Sequence, residues 1–176
     1  MTSTEAYIAL NMIEKVGPVR LRHLLGIFEN PETILKASSE QLACVEGIGR
    51  DIARCISDWE NQVDLVAELN RIQEYGCSVV TNEVPIYPQS LKEIYDPPIV
   101  LYVKGQLEDR DHHGVAIVGS RMTTPYGLES ARRLAYQLGQ AGVTVVSGGA
   151  RGIDTAAHQG CLRANGRTIA VIGSGL

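Results

Sequence analysis

Three short apolar segments in the second half of the chain are each followed by a turn that contains glycine. The segments span residues 115–118, 143–146 and 168–172, and the turns span 119–121, 147–152 and 173–175. The segments are rich in β-branched residues and lack polar alternation, which is typical of strands buried on both faces. Apolar residues at helical spacing follow the first two turns. The pattern predicts an α/β fold in which helices cover both faces of a parallel sheet.

Ligands of such sheets bind in the crevice at the carboxyl ends of the strands, where the three turns would converge. The first two turns contain Arg121 and Arg151, and Arg167 precedes the third segment. We expect these arginines to lie in or near the crevice, beside the backbone N–H groups of the turns. Guanidinium groups and N–H donors at helix starts together suit phosphate.

The charge of the chain is distributed unevenly. Residues 1–113 contain 10 Lys and Arg against 18 Asp and Glu, whereas residues 114–176 contain 6 Arg against only Glu129 and Asp154. A basic segment joined to an acidic one indicates that the second half meets an anion.

The composition is typical of a cytoplasmic globular protein, with 44% hydrophobic and 20% charged residues. The first residues predict no signal peptide, and no apolar run approaches the ~20 residues of a membrane span. The 4 cysteines are widely separated, as is typical of reduced thiols. We therefore expect no membrane partner.

Residues 1–62 resemble a small domain of short helices. Asn30 before Pro31 and a capping box that begins at Ser38 predict helix starts. The Val-Glu-Gly-Ile-Gly turn at 45–49 resembles a helix-hairpin-helix signature, in which glycines allow close approach to a phosphate backbone. Glu46 and Asp51 beside the glycines would repel DNA, so a structural hairpin and a DNA-contacting hairpin both remain open.

An amphipathic pattern over residues 51–75, broken near Asp58, leads into a second domain that we assign to residues 63–176. Residues 78–81 and 99–103 predict two further strands, and four prolines lie in the connection between them. The chain stops at Leu176, directly after the third turn. Because a sheet of this kind normally continues, we expect it to be truncated here.

No cofactor or metal site is predicted. The sequence contains neither the G-x-G-x-x-G spacing of a dinucleotide site after the first strand nor the G-K-[ST] of a P-loop. His112 and His113 are adjacent, but no further ligands accompany them.

Asp154 and His158 lie four residues apart, on one face of a predicted helix. They could form a general acid and base pair, or Asp154 could orient the glycine turn while His158 packs or hydrogen-bonds nearby. No nucleophile accompanies them, and Ser120 and Ser147 have no base beside them. We interpret the two serines as phosphate hydrogen-bond donors and predict that the chain is not an enzyme.

Three ordered motifs carry a resemblance to a known family. They are Gly-Ser-Arg at 119–121, Ser-Gly-Gly-Ala-Arg-Gly-Ile-Asp at 147–154 and Arg-Thr-Ile-Ala-Val-Ile-Gly-Ser-Gly-Leu at 167–176. With Tyr-Pro at 87–88, Pro-Pro at 97–98 and Leu-Tyr at 101–102, they resemble the core of the DNA-processing protein A family, DprA or Smf. The resemblance covers essentially the whole chain. It implies a sterile-alpha-motif-like helical domain followed by a Rossmann-like domain.

The resemblance also implies a function. Such proteins bind single-stranded DNA in the cytoplasm, protect incoming DNA, help to load the recombinase RecA in natural transformation, and form homodimers at full length. The family's strand-binding pocket maps onto the two complete turns and one further arginine. These residues are Gly119, Ser120, Arg121, Ser147, Gly148, Gly149, Ala150, Arg151, Gly152, Asp154 and Arg167.

A rival interpretation is an enzyme. Related Rossmann-like proteins hydrolyse nucleoside monophosphates to free bases, with glycine turns of the same type. They use an acidic residue in a Pro-Gly-Gly-x-Gly-Thr-like loop, which this sequence does not contain. Aromatic residues make up only 5% of the chain, and Tyr126 is the aromatic residue near a glycine turn. We therefore expect backbone-dominated, sequence-tolerant DNA recognition.

Overall fold

The computed structural model of the chain describes residues 1–173, and it divides into two compact units, Met1–Gln106 and Leu107–Leu176. The domain boundary expected near residue 62 falls inside the first unit. The hydrophobic core explains why, because Ile99 and Val100 are buried in one cluster with side chains of the N-terminal helices.

The first unit contains eight short helices and a two-stranded antiparallel sheet. The helices are α1 (Ser3–Met12), α2 (Pro18–Phe28), α3 (Pro31–Lys36), α4 (Ser39–Leu42), α5 (Arg50–Ser57), α6 (Trp59–Gln62), α7 (Leu65–Tyr75) and α8 (Gln89–Lys92). The strands are β1 (Cys77–Thr81) and β2 (Val100–Lys104), with Cys77 opposite Lys104.

The helix starts and the break near Asp58 agree with the sequence prediction. The Asn30 side chain accepts from the Thr33 N–H, and Ser38 and Gln41 form a reciprocal capping box. Asp58 ends α5, and its backbone N–H bonds back to Arg54. Local capping chemistry therefore fixes these boundaries.

The hairpin at residues 45–49 packs against α2. Gly47 adopts a left-handed φ of +81°, and its carbonyl accepts from the Arg20 guanidinium at 3.3 Å. Nδ1 of His23 lies 3.0 Å from the Glu46 carbonyl, and Ile48 is buried. These contacts give the hairpin a packing role within the first unit, and a sterile-alpha-motif-like assignment of these helices stays a prediction.

The second unit is a three-stranded parallel sheet with two connecting helices, as the repeated strand and turn pattern predicts. Its elements are a 3₁₀ helix (Asp109–His113), β3 (Val115–Ala116), α9 (Pro125–Gln140), β4 (Val145–Gly148), α10 (Ile153–Arg163) and β5 (Thr168–Val171). The strand order is β3-β4-β5. Val145 at the start of β4 is opposite both Val115 and Thr168.

Both helices pack on one face of this sheet. Ala131 and Ala135 of α9 share a buried cluster with Ala157 of α10 and with Val145 of β4. Two successive right-handed crossovers in the same direction place both helices on the same side, which accounts for the arrangement. The sequence predicted helices on both faces, but the described residues show Val118 and Val171 of the other face 71% and 63% exposed.

Candidate functional site

The first two glycine turns meet at the carboxyl ends of β3 and β4, as the sequence predicts. Gly152 has a φ of +88°, and a Cβ there would collide with the carbonyl oxygen of Ser120. The N–H of Ile153 donates to that same carbonyl at 3.3 Å. A Cβ on Gly119 would come within 2.6 Å of the Ile153 side chain. Glycine at 119 and 152 therefore allows the two turns to touch.

An open cavity of about 650 Å³ lies at this junction, and its lining comes from the first turn, the segment after it and Gly152. The lining residues are Arg121, Met122, Thr123, Thr124, Leu128 and Gly152. Thr124 is the N-cap of α9, where its hydroxyl accepts from the Gly127 N–H at 3.1 Å. The sequence prediction missed residues 122–124 and Leu128, although their place between the turn and a Thr-Pro helix start would have indicated them.

Arg121 and Arg151 are both exposed beside the junction. Within residues 1–173, neither guanidinium forms an ion pair with a carboxylate. Each charge is therefore available to an anion from solution, which is what a phosphate site requires.

Arg167 lies at the opposite end of the sheet. It directly precedes β5, and its carbonyl accepts from the N–H of Val145, the first residue of β4. Its guanidinium binds the Asp111 carboxylate through Nε at 2.6 Å and Nη2 at 2.7 Å, and Glu108 through Nη1 at 2.9 Å. The expectation that Arg167 lies in or near the crevice is therefore wrong, because a residue before a parallel strand sits at the amino edge.

The two serines of the turns differ in their surroundings. Ser147 is the third residue of β4, only 2% exposed, and its hydroxyl donates to the Ile117 carbonyl at 2.6 Å. Ser120 is exposed, and its hydroxyl bonds to the backbone of Met122. Ser120 is placed to meet a ligand, whereas the Ser147 hydroxyl ties two strands together.

Side chains of α10 hold the backbone of the second turn. Asp154 is 7% exposed, and its Oδ2 accepts from the Ala150 N–H at 3.4 Å. Thr155 donates from Oγ1 to the Ala150 carbonyl at 2.8 Å, and Nε2 of His158 lies 2.9 Å from the Gly148 carbonyl. Of the two interpretations of Asp154 and His158, this geometry fits the one in which Asp154 orients the glycine turn. Thr155 was not predicted.

Two large apolar side chains stand exposed close to Arg121 in the chain. Met122 is 92% exposed, and Tyr126 in the first turn of α9 is 82% exposed. Gly149 is exposed as well, and a Cβ there would meet only Ile172 at 3.7 Å. The third predicted turn begins at Gly173, and its residues 174 and 175 lie outside the described part of the chain.

A family model described as DNA recombination-mediator protein A matches residues 78–176, which include both turns, the junction and Arg167. The chain belongs to this family. It is 41% identical to Protein Smf of Synechocystis sp. over 99% of its length, and 47% identical to DNA processing protein DprA of Streptococcus pneumoniae over 51%. Recombination of DNA is thus the process in which this family acts.

The fold agrees with a solved structure of the family. The X-ray structure of DNA processing protein A from Streptococcus pneumoniae matches 98% of this chain with a TM-score of 0.72 and 28% sequence identity. The chain spans 58% of that structure and 45% of the Synechocystis protein. The activity and partners of the longer relatives are therefore proposals for this chain.

Two further observations concern residues 1–173. No group of three or more His, Cys, Asp or Glu side chains is placed to hold a metal ion, and His112 and His113 both lie exposed in the 3₁₀ helix. None of the helices in this part of the chain has the length and apolar content that crossing a membrane requires.

Proposed function

We propose that the protein binds single-stranded DNA at the junction of the two glycine turns, and that it does so in the cytoplasm during natural transformation and recombination. One observation carries the proposal. Arg121 and Arg151, two exposed arginines without carboxylate partners, flank a contact between two glycine turns at the carboxyl edge of a parallel sheet. This is where such sheets bind their ligands, and phosphate is the ligand that these donors suit.

The site favours a single strand that is recognised without regard to sequence. A single strand exposes both its phosphates and the faces of its bases. Guanidinium and backbone N–H groups bind the phosphates, whereas the exposed side chains of Met122 and Tyr126 offer apolar surface to any base. The cavity that we assign to the strand is lined by a turn and the segment after it, not by a helix face that could enter a major groove.

The proposal extends to the partners of the complete protein. We infer that it protects incoming DNA, helps to load RecA onto it, and forms a homodimer at full length. Membership of a recombination-mediator family supports these inferences. Pull-down of RecA and analytical ultracentrifugation of the full-length protein test them directly. A monomeric protein that retains no RecA would contradict them.

We also propose that the chain catalyses no reaction. The groups closest to an acid and base pair, Asp154 and His158, are engaged with the backbone of the second turn, and the Ser147 hydroxyl is buried. Incubation with nucleoside monophosphates, NAD or ATP should yield no product above the blank by chromatography. Release of free base at an enzymatic rate would establish the phosphoribohydrolase alternative.

The experiment that tests DNA binding is a fluorescence-anisotropy titration of the full-length protein with labelled oligo-dT across a range of salt. We expect log Kd to vary linearly with log salt, with a slope of about 0.7 per neutralised phosphate. Unlabelled duplex and a nucleoside monophosphate should compete poorly with the strand. Equal affinity for duplex, or an affinity that salt does not change, would overturn the proposal.

A further inference from the structure

The orientation of each peptide group in the second turn is set by a side chain of α10. The carbonyl of Gly148 accepts from Nε2 of His158 at 2.9 Å, and the carbonyl of Ala150 accepts from Oγ1 of Thr155 at 2.8 Å. The structure has no cis peptide bonds, and in a trans peptide the N–H points opposite to the carbonyl. The N–H groups of Gly149 and Arg151 therefore point away from the side chains that hold these carbonyls.

The middle peptide of the turn is oriented the other way. The N–H of Ala150 faces Oδ2 of Asp154 at 3.4 Å, so this group is not available to a ligand. By contrast, the N–H groups of Gly149 and Arg151 form no hydrogen bond in the part of the chain that the structure describes. Two backbone donors thus remain, one from each outer peptide.

We propose that His158 and Thr155 are positioning residues for phosphate, because they hold the outer peptides with their N–H groups turned toward the ligand. This inference rests on the proposed function, since it assigns the donors of the same DNA site. Neither side chain touches the strand in this arrangement. They act through the carbonyls of Gly148 and Ala150.

A flexible backbone explains why such restraint is needed. Gly148 and Gly149 are adjacent and have no Cβ, so little steric hindrance opposes rotation of the peptide between them. Rotation by half a turn would replace an N–H donor by a carbonyl oxygen, which repels a phosphate. A hydrogen bond from a fixed side chain favours one of the two orientations before the ligand arrives, and the ordering cost is then not lost from the affinity.

The ring of His158 is itself fixed from two sides. Its Nε2 must donate to Gly148, because a carbonyl oxygen only accepts. Its Nδ1 lies 2.7 Å from the hydroxyl of Thr168, the first residue of β5, and that hydroxyl also lies 2.8 Å from the Val145 carbonyl. The imidazole therefore connects the carboxyl end of β4 to the amino end of β5, and it can transmit the rigidity of the sheet to the turn.

The test uses full-length protein and pairs each deletion with a conservative rescue. His158→Ala and Thr155→Val remove the donors, whereas His158→Gln and Thr155→Ser retain an N–H or O–H. We expect each deletion to weaken oligo-dT binding about three- to tenfold, the effect of one hydrogen bond, and each rescue to restore most of it. The salt slope should stay that of wild type, because no charge that contacts phosphate is removed.

A matched control and a second measurement separate positioning from general destabilisation. Gln159→Ala alters an exposed residue of the same helix and should leave affinity unchanged. The ¹H–¹⁵N resonances of Gly149 and Arg151 should shift when oligo-dT binds to wild type, and should move in the deletions even without DNA. If wild type binds but both deletions bind as tightly, with these resonances unmoved, the inference is wrong by itself. If wild type fails to bind oligo-dT, the proposed function falls and this inference with it.

Discussion

Arg167 and Asp111 form a two-pronged ion pair, with Nε 2.6 Å from Oδ1 and Nη2 2.7 Å from Oδ2. Asp111 also accepts from the Glu108 N–H and from the Thr144 hydroxyl, so it joins the 3₁₀ helix to the amino ends of β4 and β5. The Arg167 hydrogen bond is the main reason that the pKa of Asp111 falls from 3.8 to about 2. The pair stabilises the sheet at the edge away from the glycine turns.

This lowered pKa predicts how stability depends on pH. A carboxylate whose pKa is depressed by folding contributes stability that is fully present above its unfolded pKa and is lost as the pH falls through its folded value. Asp111→Asn should therefore lower the free energy of unfolding of the second unit by roughly 2 kcal/mol near neutral pH. The difference from wild type should shrink as the pH falls from about 4 toward 2. Urea titrations at stepped pH measure it, and a difference that does not vary with pH would contradict the assignment.

Arg121→Ala should weaken DNA binding more than any other single arginine substitution. Arg121 is exposed at the junction of the two turns, and a bidentate contact with phosphate is its principal available interaction. Loss of a charge-assisted contact costs about ten- to a hundredfold in affinity. Anisotropy titration with oligo-dT should show this loss and a flatter salt slope, with little change in melting temperature.

Arg133→Ala is the matched control for that substitution. Arg133 is an exposed arginine of α9 that forms no ion pair within residues 1–173. The neighbouring Arg132 is less suitable, because its Nη1 pairs with Glu129 and its Nε is buried without a partner. Equal losses from Arg121→Ala and Arg133→Ala would indicate diffuse attraction to net charge instead of a site.

The fold of the second unit was largely predictable, but the limits of its strands were not. The repeated apolar segments and glycine turns predict the parallel sheet, and Thr124-Pro125 predicts the start of α9. The second apolar run begins at Val143, yet β4 begins at Val145. The reason is tertiary, because the Val143 N–H bonds to Leu138 at the end of α9, while the Thr144 hydroxyl bonds to Asp111.

The same difference separates the parts of the site that the sequence could predict from those it could not. Convergence of the first two turns follows from parallel topology alone. The shift of β4 by two residues is what carries Ser147 out of the turn and into a strand. The acidic partners of Arg167 precede it by more than fifty residues, so no local pattern shows the pairing. Its position before β5 was sufficient to place it at the amino edge.

Gly152→Ala should separate the two turns. The new Cβ would meet the carbonyl oxygens of Ser120 and Arg121, at a backbone φ of +88° that side chains rarely adopt. We expect a loss of about 1–3 kcal/mol in stability from strained backbone alone, together with weaker oligo-dT binding. Gly149→Ala lies in the same turn but has room for a Cβ, so it should keep the wild-type melting temperature. Similar melting temperatures for both variants would contradict the observed contact.

The two serines should respond oppositely to the loss of their hydroxyl groups. Ser147→Ala removes the buried bond to the Ile117 carbonyl and leaves that acceptor without it, which should cost roughly 1–3 kcal/mol of stability. Oligo-dT affinity, measured well below the melting temperature, should change little, because this hydroxyl does not face the crevice. Ser120→Ala removes an exposed hydroxyl that orders the Met122 backbone beside Arg121, so it should reduce affinity while the melting temperature stays near that of wild type. If Ser147→Ala instead weakens binding without loss of stability, β4 must release this hydroxyl to the DNA, and the strand limits described for the unbound protein would not hold in the complex.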